Sequence, residues 1–97
     1  MIIRIVKMTF DPEKVNDFLK VFEESKNKIR NFEGCTHLDL LQDIDHKNIY
    51  FTYSHWHSPE HLHNYRYSEL FISTWAKTKN LFSGKPEAWS LTIASKN

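Results

Sequence analysis

Two tripeptides constrain this chain more than anything else in it: Asp11-Pro12-Glu13 and Ser58-Pro59-Glu60. Each supplies a side-chain acceptor for a helix N-terminus, a proline that fits the first turn, and an acid that the helix dipole favours. Each also follows a β-prone run, residues 2–10 and residues 49–57, so the chain reads strand-then-helix twice. Val15, Phe18, Leu19, Phe22, Ile29 and Phe32 recur at helical spacing behind the first signal, and residues 31–34 stop that helix. Residues 35–43 read as a second strand and residues 44–48 as a polar hairpin loop leading into the third. The second helical region runs to about Ser83 with a restart at Ser68-Glu69, Gly84-Lys85-Pro86 ends it, and residues 88–94 close the chain as a strand. The order β-α-β-β-α-β predicts an α+β, ferredoxin-like fold: a four-stranded antiparallel sheet with both helical segments on one face.

Length and charge narrow the rest. Ninety-seven residues are expected to make one domain, 1–97. Thirteen Lys+Arg against 12 Asp+Glu leave a net charge of +1, which gives no electrostatic footprint for nucleic acid or an anionic membrane. The lone Cys35 excludes an intramolecular disulfide framework and a cysteine zinc site. No apolar run approaches the about 18–20 residues of a membrane span. The opening Met1-Ile2-Ile3-Arg4-Ile5 lacks the pattern of a signal peptide, so a soluble cytoplasmic protein is expected.

Aromatic residues reach 14%, and the strands show where they go. A sheet covered on one side should carry polar residues on the other. The third strand instead sets Ile49, Phe51, Tyr53 and His55 against Tyr50, Thr52, Ser54 and Trp56. The first sets Arg4, Val6 and Met8 against Ile3, Ile5 and Lys7, and the second sets Leu38 and Leu40 against Cys35, His37 and Leu41. The last sets Trp89, Leu91 and Ile93 against Ala88, Ser90 and Thr92. Two helices cover one face only, so a second copy packed sheet to sheet is expected to cover the other, as a homodimer.

The element order, the aromatic third strand, the segment Trp56-His57-Ser58-Pro59-Glu60-His61-Leu62 and its continuation Tyr65-Arg66-Tyr67-Ser68-Glu69-Leu70-Phe71 resemble the antibiotic biosynthesis monooxygenase family. The resemblance covers essentially the whole chain and implies a dimeric α+β barrel. Trp56, Ser58, Leu62, Ser68 and Phe71 match the family pattern, while Ser54 stands where an acid is usual and Tyr65 where a His is usual. In haem-degrading members an Asn and a haem-ligating His serve; those positions fall near Val6 and at Trp75, and neither residue can substitute. What the resemblance implies is a cofactor-independent monooxygenase that oxidises a small aromatic quinol or polyphenol with O₂, without metal or flavin. The alternative is a non-catalytic binding or structural dimer that kept the fold.

For oxygenation, Tyr65 or His55 is the candidate to polarise or deprotonate a substrate hydroxyl, with Arg66 stabilising the anion. Tyr53 and His55 are expected close to Tyr65, and His37 beside His55 on the helix-facing side of the sheet. Trp75, one helical turn beyond Phe71, offers with it a flat wall for an aromatic substrate. His55, His57, His61 and His63 fall within nine residues, but their spacing suits no single face, and metal binding is not expected.

Overall fold

In the computed structural model, which describes residues 1–97, the chain runs β1 (Ile2–Thr9), α1 (Val15–Arg30), β2 (Cys35–Gln42), β3 (Ile49–Trp56), α2 (Pro59–Arg66), α3 (Glu69–Lys79) and β4 (Glu87–Leu91). The strands form one antiparallel sheet in the order β2-β3-β1-β4, with the helices on one face. This is the ferredoxin-like α+β fold expected from the sequence, its second helical region split in two.

The local chemistry explains the breaks. Asp11 accepts the Glu13 N–H at 3.0 Å, and Pro12–Lys14 forms a 3-10 turn before α1 begins. Ser58 accepts the His61 N–H at 3.2 Å to start α2. Ser68 both accepts the Phe71 N–H at 3.1 Å and donates to the Tyr65 carbonyl at 2.6 Å, so one hydroxyl ends α2 and begins α3. Gly34 sits at φ +92°, and a Cβ there would run into the His61 ring. β3 stops at Trp56, one residue short of its expected end, and the His57 N–H just beyond it bonds to the Gly34 carbonyl. β4 stops at Leu91, the partner of Ile3, short of its expected end, and beyond it the Thr92 hydroxyl donates to the Met1 carbonyl at 3.5 Å.

Phe10 and Phe18 stack at 4.1 Å and, with Met8 and Tyr50, form one core cluster. Cys35, Trp56 and Leu62 form a second, flanked by Phe32 and Tyr65. The alternation of β2 predicts Cys35 and His37 on one face, and the structure separates them. A bulge between the two pairs Cys35 with Trp56 but His37 with His55, so the thiol turns under the helices and the imidazole to the open face. Only 11 of the 97 residues are buried, and on the helix-free face Leu41, Trp89 and Leu91 remain 41–47% exposed.

Candidate active site

Between the two core clusters the helices and sheet enclose a cavity of about 340 Å³, within the usual range for small-molecule sites. Its floor comes from the helix-facing residues of the sheet, among them Arg4, Val6, Thr52, Ser54 and Trp56. Phe18, Phe22 and Ile29 of α1 wall one side, and Tyr65, Phe71 and Trp75 of α2 and α3 wall the other. The spacing that predicts an aromatic stripe on the second helical region is what delivers this wall: Phe71 and Trp75 lie nearly parallel at 5.8 Å, 10° apart.

Tyr65 is the centre of the aromatic wall. It stacks on Trp56 at 4.8 Å and 25°, and meets Phe32 and Phe71 edge-on at 5.4 and 5.3 Å. Burial drives its phenol well above the ordinary tyrosine range, with the nearby Cys35 adding to the shift, so the hydroxyl stays protonated. It is a donor and not a base. It has no hydrogen-bond partner within the chain. Ser54, in contrast, is engaged: its oxygen accepts the Trp56 indole N–H at 3.0 Å, which fixes that ring under Tyr65. The Ser25 and Thr78 hydroxyls are likewise spent on helix carbonyls, leaving Thr52 and Thr74 as neutral polar groups free to meet a ligand.

Of the residues singled out in the sequence, Tyr65, Arg66, Phe71 and Trp75 share this cavity. Tyr53, His55 and His37 do not, which corrects their expected position. Along β3 the side chains alternate strictly, so the floor positions Ser54 and Trp56 send Tyr53 and His55 through to the opposite face. His37 follows its cross-strand partner His55, with ring centroids 4.8 Å apart, and the Tyr53 ring closes the cluster at 5.0 Å from His55. Adjacency was legible in the hairpin; the side of the sheet was not. There His37 contacts Asp39 at 2.7 Å, while the buried Nε2 of His55 has no partner. Desolvation lowers the His55 pKa, His37 lowers it further, and Asp39 opposes both.

Arg4 was missed as a site residue, although it is the lone charge on the apolar side of β1, between Ile2 and Val6. The histidines of the second helical region disperse: His61 bonds Ser58, and His63 packs on Tyr67 at 4.5 Å. No three His, Cys, Asp or Glu side chains converge as metal ligands would. Burial raises the Cys35 thiol, as suits an inert packing group. No helix is long and apolar enough to cross a membrane.

A family model described as antibiotic biosynthesis monooxygenase matches residues 1–76. Among solved structures, an antibiotic biosynthesis monooxygenase superposes with a TM-score of 0.91 at 17% identity, covering 98% of this chain and 100% of the other. A conserved protein from Methanosarcina mazei Go1 gives 0.88 at 21% identity over 94% and 91% of the two chains. Rv0793 from Mycobacterium tuberculosis gives 0.89 at 16% identity over 98% and 96%. No curated protein matches the sequence.

Proposed function

The chain belongs to the antibiotic biosynthesis monooxygenase family, and on that premise we propose that it oxidises a small aromatic quinol or polyphenol with O₂ inside the helix–sheet cavity, as a homodimer and without a cofactor. The observation that carries the reading is Tyr65: a protonated hydroxyl with no partner in the chain, set in the aromatic wall of a cavity that Arg66 also lines. Such a donor binds an oxyanion more strongly than a neutral phenol, and the mostly apolar lining around it strengthens the preference. The Arg66 guanidinium favours the ionised substrate, whose proton leaves to water at the mouth. The electron-rich anion then gives an electron to O₂, and the pair combine as a hydroperoxide on a ring carbon. Loss of water leaves a carbonyl there. One oxygen atom stays with the product, the other leaves as water, and all four electrons come from the substrate. His55, across the sheet, acts in no step of this scheme.

A second reading, a binding protein of the same fold, is favoured by one observation. No imidazole lines the cavity, and its single carboxylate, Glu87, is drawn to Lys7 at 4.0 Å. Oxygen uptake by chelator-treated protein on a panel of hydroquinones separates the two. Turnover above autoxidation is expected, with Tyr65→Phe lowering it about 100-fold, the scale set by loss of one oxyanion donor. Ligand binding with no turnover across the panel overturns the oxygenase in favour of the binding protein.

A further inference from the structure

Three charged residues line the cavity: Arg4, Arg66 and Glu87. Glu87 faces Lys7 across the β1–β4 pair, which leaves two cations at one apolar site with no carboxylate within 4 Å of either. Arg66 alone needs no explanation, because the last turn of a helix favours a cation. Arg4 has no such excuse. It sits in a central strand, half-buried, and of its five N–H donors the only protein contact is one bond to the Ser90 hydroxyl at 2.8 Å. A guanidinium set into an apolar wall is costly unless an anion meets it.

Building on the proposed oxygenase, we propose that its substrate carries an acid group already ionised at neutral pH, a carboxylate, held between Arg4 and Arg66 while the aromatic ring occupies the slot beside Trp75 and Tyr65. A hydroquinone hydroxyl is uncharged at neutral pH and cannot compensate the two cations on arrival; a carboxylate can. The two guanidinium groups are near enough to repel, and burial first and Arg66 second lower the basicity of Arg4. Ser90 holds the Arg4 fork in place without neutralising it, and a planar guanidinium suits a carboxylate's two oxygens.

Calorimetric binding of 2-naphthoate against the uncharged isostere 2-naphthamide tests this directly. The acid is expected to bind at least tenfold tighter, with affinity falling as salt rises. Arg4→Gln and, independently, Arg66→Gln are expected to reduce the preference severalfold each while amide binding holds. The exposed Arg66 position guards against an Arg4 variant that fails to fold. Equal binding of acid and amide, or a preference indifferent to both substitutions, overturns the inference. Oxygen uptake is scored separately. Turnover of neutral hydroquinones without any preference for acids sinks the carboxylate and spares the oxygenase; a clear preference for acids without turnover does the reverse.

Discussion

His55 shows how one side chain couples the sheet to pH. Its Nε2 is sealed from solvent and unpartnered, against the His37 ring. The fold holds it neutral by desolvation, so its pKa lies below the ordinary 6.5. The unfolded chain therefore takes up that proton first as the solution is acidified, and stability is lost as pH falls below about 6.5. Thermal melts between pH 7.5 and 5.5 are expected to decline, and His55→Gln is expected to flatten that slope. An unchanged slope in the variant assigns the pH response elsewhere. Tyr65 is shifted in the opposite direction by the same cause, burial, and it keeps its proton throughout this range.

Among the elements, the joint between α2 and α3 concentrates the most consequence in one atom. The Ser68 hydroxyl closes one helix and opens the next, directly behind Tyr65. Ser68→Ala is expected to cost about 1 kcal/mol, a fall of about 4–8 °C in Tm for a domain of this size. The variant should also weaken turnover, since the Tyr65 carbonyl loses its tether; calorimetry and oxygen uptake on the same sample check both. This joint was legible in the sequence, because a capping serine followed by an acid announces a helix start. So were both Pro-Glu starts and the order of the strands. Which face of β3 meets the helices was not legible, since alternation yields two sets of side chains and both here are aromatic. The bulge ahead of His37 was invisible for a different reason: Cys35-Thr36-His37 contains no glycine or other marker of an extra residue. Arg4 escaped because a single cation in a strand reads as ordinary until its neighbours are known to line a cavity.

At the scale of the whole molecule, the apolar side chains left on the bare side of the sheet make the argument for a partner. A compact monomer of this mass exposes about 5,800 Å². This chain exposes 6602 Å². Part of that excess belongs to the exposed residues 92–97 and part to the face that no helix covers, where Ile5, Trp89 and Leu91 crowd together. Sedimentation at micromolar concentration is expected to give a two-copy species, and Trp89→Asp to give single copies with the fold intact. A wild-type chain that sediments alone would overturn the homodimer.

The three indoles happen to divide this molecule between them. Trp56 is sealed at 1% exposure with its N–H committed to Ser54, Trp75 borders the cavity, and Trp89 lies 41% open on the bare side of the sheet. Global melting, occupancy of the slot and association of two chains each reach a different one first. Fluorescence from three single-tryptophan versions would let unfolding, ligand uptake and pairing be timed apart, without an attached dye.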